Sequence, residues 1–332
     1  MSNLNVISVR PQWQQELAQS ISDPRELGAL LRLPEDWITQ NQSARELFPL
    51  RVTRYFAGLM TPGDRFDPLL LQVMPKQEEF ATKEGFVTDP LEEQSSNHSG
   101  ILHKYKSRVL VILRGGCAIN CRYCFRRHFP YEDHHFGRAQ LQQLVELVQA
   151  DAAINEVILS GGDPLMANDD QLERVITELE ALPQLKRVRI HSRLPVVLPS
   201  RLTEKLAKRL QSSRLQAILV IHANHPREIT STLKSALAMW AKHNVTLFNQ
   251  SVLLAGINDS AEVLEALSEA LFDARVTPYY LHQLDKVAGA SHFAVSDERA
   301  RQLEHELRAR LPGFLVPKLV REIAGEASKT PL

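Results

Sequence analysis

The chain has 332 residues and a mass of 37.6 kDa, 44% of them hydrophobic and 23% charged, enough to bury one large core or two modest ones in an ordinary globular protein. Lys plus Arg and Asp plus Glu balance at 39 each, so no net field draws the protein toward nucleic acid or anionic lipid. The longest apolar runs, VLVIL and AILVI, are far too short to cross a bilayer, and no secretory leader is recognisable at the N-terminus.

Residues 1–100 are punctuated by Pro24, Pro34, Pro49, Pro62, Pro68, Pro75 and Pro90. SDPRELGALL offers a helix start with Pro24 in the first turn, and the segment is predicted to be mostly helical, ending in the polar loop EEQSSNHSG. From residue 101 the rhythm changes to short β-rich runs alternating with longer amphipathic ones. RVLVIL precedes a predicted helix around 138–150, NEVILS one around 170–182, KRVRIH one around 201–211 and LQAILVIH one around 226–242. VTLFNQSVLL and RVTPYYLH precede helices around 259–272 and 296–310, and FLVPKLV closes the series. Six strand–helix units joined by right-handed crossovers give a parallel sheet, barrel-like rather than small and open. The loops after the strands then share one face, where chemistry collects. Those loops carry the Cys cluster, SGGDPL, HSR, HANHP and HQLD, with NQS inside the fifth run.

All three cysteines, Cys117, Cys121 and Cys124, fall within CAINCRYC. An odd number at such spacing is no disulfide framework, and a reducing cytoplasm with a use for the thiols fits better. Three thiolates this close suit an iron–sulfur cluster with one iron left open. A zinc site completed by His128, His134 or His135 is the alternative. Core packing is a poor explanation beside Arg122, Arg126 and Arg127.

The spacing C-x3-C-x2-C, with Tyr123 before the last cysteine and a predicted strand before the first, resembles the radical S-adenosylmethionine superfamily. That resemblance implies an α/β fold, a partial (β/α)6 TIM-like barrel behind the helical N-terminal segment. It also implies a 4Fe–4S cluster on Cys117, Cys121 and Cys124, whose open iron binds S-adenosylmethionine and cleaves it to a 5′-deoxyadenosyl radical. SGGDPL is good turn chemistry on its own account. Under the resemblance Ser160, Gly161, Gly162 and Asp163, with His222 and Gln250, seat S-adenosylmethionine.

Longer segments are similar to the lysine 2,3-aminomutases, among them DPLEEQSSNHSGILHKYKSRVLV, CAINCRYCFRRH, SRLPVVLPSRLT, HANHPREIT, NQSVLLAGINDS, RVTPYYLHQLD and VPKLVREIAGEASKTP. This likeness implies conversion of free L-α-lysine to β-lysine with pyridoxal phosphate as a further cofactor. Lys329 would be its Schiff-base lysine, and Lys104, Tyr105 and Arg108 would meet its phosphate. Judged alone, Lys329 is an unremarkable terminal lysine. Arg126 matches the family's arginine for the substrate carboxylate, where a bidentate guanidinium pair suits the task. Asp285 and Glu322 match the acid pair for the substrate's ε-ammonium, Glu322 standing where the family has aspartate. The family's long members carry a cysteine-bearing tail for zinc; this chain has no such cysteines, so no zinc is expected. The short form resembles the bacterial branch that makes (R)-β-lysine for elongation factor P. That branch implies a reducing electron donor, a functional link to the ligase that attaches the β-amino acid, a cytoplasmic location, and no role for nucleic acid or membrane.

Overall fold

The computed structural model describes residues 10–94, 100–133 and 136–332. The N-terminal segment opens with α1 (Gln12–Ala18), α2 (Pro24–Leu30) and α3 (Glu35–Asn41), followed by the single turn α4 (Arg54–Ala57). Pro24 fills the first position of α2, and the Asp23 carboxylate accepts the Arg25 N–H at 2.8 Å, capping the helix as expected. The segment is thinner in helix than the sequence predicts. After α4 only the 3-10 turn Gln77–Phe80 is helical up to residue 94. Pro62, Pro68 and Pro75 remove donors and push their predecessors out of the helical region, so the chain proceeds by turns.

Among the described residues nine strands form one sheet in sequence order: β1 (Ile101–Tyr105), β2 (Arg108–Arg114), β3 (Glu156–Gly161), β4 (Arg187–Ser192), β5 (Gln216–Ile221), β6 (Thr246–Val252), β7 (Thr277–His282), β8 (Lys318–Arg321) and β9 (Thr330–Pro331). Strands β2 to β8 are parallel throughout, as the crossovers demand. The end strands β1 and β9 run antiparallel to their neighbours, and the order does not close on itself.

The crossovers carry α5 (Arg138–Ala150), α6 (Asp169–Glu180), the turn α7 (Leu194–Val197), α8 (Glu204–Gln211), α9 (Ser231–Lys242), α10 (Ala261–Asp273) and α11 (Asp297–Arg310). Asn168, Thr203, Thr230, Ser260 and Ser296 cap α6 and α8 to α11 through their side-chain oxygens. Two helices start later than predicted. Pro199–Arg201 and Pro226–Glu228 are 3-10 turns, and the caps Thr203 and Thr230 set the true starts beyond them.

Strand β3 is buried along its whole length, as a parallel strand covered on both faces must be. One apolar cluster runs from Trp13, Leu27, Val52, Phe56 and Leu70 into Val109, Val157, Val188, Leu219 and Trp240. The N-terminal segment therefore shares the barrel's core. Burial of this extent is the main driving force for the fold. Among the described residues no helix is long and apolar enough to cross a membrane.

Candidate active site

A cavity of about 1020 Å³ opens at the ends of the strands, larger than most single-ligand pockets. It is lined by all three cysteines, by Ser160, Gly161, Gly162 and Asp163, by His222 and Gln250, and by Lys104, Tyr105, Arg108, Arg126, Asp285, Glu322 and Lys329. The residues singled out in sequence thus meet in one place, although they span more than 200 positions.

The cysteines lie on the loop after β2, and the N-terminal segment holds that loop rigidly. Arg122 N–H donates to Gln72 O at 2.9 Å and Asn120 N–H to Arg51 O at 2.9 Å. The Arg122 guanidinium pairs with buried Glu79 and donates to Phe48 O at 2.6 Å, while Arg127 reaches the same Glu79 at 2.8 Å. The three thiols are half-buried and unbridged. Burial pushes all of them up, Cys124 to about 12, and the charges of their sister thiols add to the rise at Cys117 and Cys124. Three thiolates need a strongly cationic centre to coexist here, and a thiolate-held iron cluster provides one. The donor set fits such a group. A zinc site would need His128, His134 or His135 to join the thiols. His128 lies 3.2 Å from Ala288 O through Nε2, and His134 and His135 lie outside the described residues.

The glycine-rich turn after β3 packs directly on the cysteine loop. Gly161 has φ +124°, and an added Cβ would stand 2.4 Å from Arg114 O; one on Gly162 would stand 2.6 Å from Gly115 O. The turn is stitched there by Gly162 N–H to Arg114 O at 2.7 Å and Asp163 N–H to Gly116 O at 3.1 Å. Asp163 itself is fully engaged. Its carboxylate accepts from Ser192 Oγ (2.7 Å) and from the N–H groups of Leu165, Arg193 and Leu194 (3.0, 2.9 and 2.9 Å). Burial lifts it to about 6 against those donors. Asp163 therefore ties the turn to the start of α7, while Ser160 and the two glycines line the cavity beside it. His222 is held neutral by burial and by the nearby cations Arg193 and Arg126, down to about 3, and among the described residues its Nε2 has no partner.

The other end of the cavity is an ionic chain. Arg126 donates to buried Glu93 through Nε (2.6 Å) and Nη2 (3.1 Å), and turns Nη1 to Ser160 Oγ (3.2 Å) and Gly161 O (3.3 Å). Lys104 bridges Glu93 at 2.8 Å and Glu322 at 3.5 Å. Tyr105 donates to Glu322 at 3.3 Å, and Lys329 pairs with the other Glu322 oxygen. Arg108 lies 4.1 Å over the Tyr105 ring and, among the described residues, makes no ion pair. Of the three expected phosphate contacts it is the cation still free to meet one. Burial and the Glu322 charge push Asp285 up to about 7. Burial also opposes ionisation of Glu322, but Lys329 and Lys104 overcome it and hold that carboxyl near 2.

The sequence reading passed over Glu93, Arg193, Gln72 and Glu228. Glu93 stood inside DPLEEQ and Glu228 inside HANHPREIT, segments marked by their resemblance, and Arg193 inside HSR, marked by its loop after a strand. Gln72 carried no signal.

A family model described as the radical SAM superfamily matches residues 111–270. The chain is 52% identical over 324 residues to the L-lysine 2,3-aminomutase of Escherichia coli strain K12, covering 97% of this chain and 95% of that protein. It is 50% identical over 326 residues to the protein of the same name in Haemophilus influenzae, covering 98% and 96%. The L-lysine 2,3-aminomutase of Clostridium subterminale is 32% identical over 322 residues, covering 96% of this chain and 77% of that one.

Proposed function

Because the chain belongs to the lysine 2,3-aminomutase family of radical S-adenosylmethionine enzymes, we propose that it moves the α-amino group of L-lysine to C3, yielding β-lysine. The observation that carries this reading is the single cavity joining the cysteine triad and glycine turn to Lys329 and the acid pair. Bound there, a 4Fe–4S cluster supplies an electron, S-adenosylmethionine a hydrogen-abstracting radical, and pyridoxal phosphate a π-system that delocalises spin.

The protein's own residues do the rest. Cys117, Cys121 and Cys124 would hold the cluster, and the turn Ser160, Gly161, Gly162 and Asp163 would seat S-adenosylmethionine with His222 and Gln250. Lys329 would carry pyridoxal phosphate, with Arg108 at its phosphate and Lys104 and Tyr105 beside it. Doing so requires the Lys329 ammonium to leave Glu322. That vacates a carboxylate beside Asp285, and two acids then face the ε-ammonium of lysine. Arg126 would hold the substrate carboxylate through Nη1, which must turn from Ser160 Oγ and Gly161 O to do so, its remaining nitrogens fixed by Glu93. Pinning both ends of the substrate fixes the reacting carbons against the radical, where misplacement of about 1 Å costs about 100-fold in rate.

The test is product analysis: reduced, anaerobic enzyme given L-lysine and S-adenosylmethionine, with chiral separation of the amino acids. The reading expects (R)-β-lysine; unchanged lysine overturns the activity, and the S isomer overturns the stereochemistry alone. We assign the product to elongation factor P modification in the cytoplasm, a role tested by supplying it to the factor and its ligase. Failure of the ligase to use the product would refute that assignment.

A further inference from the structure

We propose that Arg193 is the fixed charge that sets the reduction potential of the cluster, acting on the Cys121 sulfur. The inference rests on the reading of the three cysteines as cluster ligands.

Arg193 follows β4 and is 6% exposed on the cavity wall. It cannot swing away. Its backbone N–H is held by Asp163 at 2.9 Å, and its Nη2 donates to Gln72 Oε1 at 2.8 Å. Its guanidinium lies 5.5 Å from the Tyr123 ring centre and 5.7 Å from that of Phe56. The partners are themselves locked. Gln72 Nε2 donates to Glu228 at 2.7 Å, Asn224 donates to Gln72 at 3.0 Å and to Tyr123 OH at 2.6 Å, and Glu228 also accepts Asn224 N–H at 3.0 Å.

Among the described residues two guanidinium nitrogens, Nε and Nη1, are nevertheless buried without an acceptor. Leaving charged donors unpaired inside a protein costs more than the ~1–3 kcal/mol of a neutral group, so such a group points to an acceptor it is built to meet. The three cysteines line the same cavity wall as this guanidinium, and the Arg193 charge favours the anionic form of the Cys121 sulfur. Glu228 lies 3.5 Å from Arg193 Nη2, leaving Nε and Nη1 to the cavity's other anions. Reduction adds an electron to the cluster. A cation and N–H donors at a ligand sulfur stabilise that added charge and raise the potential.

The experiment is an anaerobic redox titration followed by electron paramagnetic resonance, without S-adenosylmethionine, on wild type, R193K and R193Q. Iron, sulfide and thermal melting are measured alongside. The expected midpoints fall in the order wild type, R193K, R193Q, because lysine keeps the charge but loses the fork and glutamine loses both. Equal midpoints in cluster-loaded proteins overturn the inference, including the case where only affinity for S-adenosylmethionine drops. Should R193Q fail to fold, R193K decides alone, and an unmoved midpoint overturns it. Wild-type protein without inorganic sulfide removes the cluster reading and this inference together, an outcome distinct from a loaded cluster with an unmoved midpoint.

Discussion

Two carboxylates at one end of the cavity are held in opposite charge states by their neighbours. Glu322 is pinned as an anion by Lys329 and Lys104, while burial and the adjacent negative charge keep Asp285 protonated up to about pH 7. A cationic side chain binds best once both are ionised. The KM for lysine is therefore expected to fall as pH rises through about 7, then level. D285N should raise KM roughly 30-fold or more, the scale of losing one buried charge partner, and flatten this pH dependence. The same proton bears on stability. A carboxyl whose folded pKa exceeds its unfolded one binds more protons when folded, so cofactor-free protein should lose stability as pH climbs from about 4 to about 7. Chemical denaturation across that range checks the slope, and D285N should remove it. Residue chemistry was legible where it was contiguous. Cys117, Cys121 and Cys124 announce themselves in eight positions. Arg193 and Gln72 meet across 121 positions, and nothing in either neighbourhood forecasts the other. Lys329 lies at the other extreme, locally indistinguishable from a solvated terminal lysine and meaningful only through its place beside Glu322.

At the scale of elements, the glycine turn and the cysteine loop form one packed unit. A methyl group on Gly162 would meet Gly115 and Gly116 backbone atoms at 2.6 to 2.8 Å, and backbone cannot rotate away as a side chain can. G162A should displace the loop carrying Cys117 and lower iron per chain, measured after anaerobic reconstitution, with less effect on the secondary structure seen by circular dichroism. The clamp beneath the loop gives a second expectation. Glu79 is buried and neutralises both Arg122 and Arg127. E79Q would leave two guanidiniums sharing one neutral acceptor, at a cost of about 3–5 kcal/mol. A melting temperature within 1–2 °C of wild type, on the order of ~0.5 kcal/mol for a chain of this size, would refute that estimate. Element boundaries were misread where proline imitates a helix start. Pro199 and Pro226 each open a 3-10 turn, and the chain needs a further threonine cap before the α-helix begins.

For the whole molecule, the alternation of strands and helices was readable because parallel strands covered on both faces leave uninterrupted apolar runs of fixed spacing. What the N-terminal segment does was not readable, because its proline-broken turns have no period. Its role is set by three-dimensional placement: Phe48, Arg51, Gln72 and Glu79 brace the cysteine loop, and Trp13, Leu27 and Phe56 fill the barrel's outer core. Residues 101–332 expressed alone are thus expected to aggregate or melt well below the full chain, even though every strand is retained. A soluble fragment that reconstitutes a full cluster would show that the bracing is dispensable.

The sheet also ends without meeting itself, and side chains of its first strand are tacked to the segment just past its last parallel one. Lys104 and Tyr105, at the end of β1, reach across to Glu322, just past β8. A wall sewn with backbone ladders keeps a constant bore whatever it contains. Here the thread is Glu322, the carboxylate proposed to meet an incoming ammonium, so each arriving guest is expected to loosen the hem and each departure to draw it tight again.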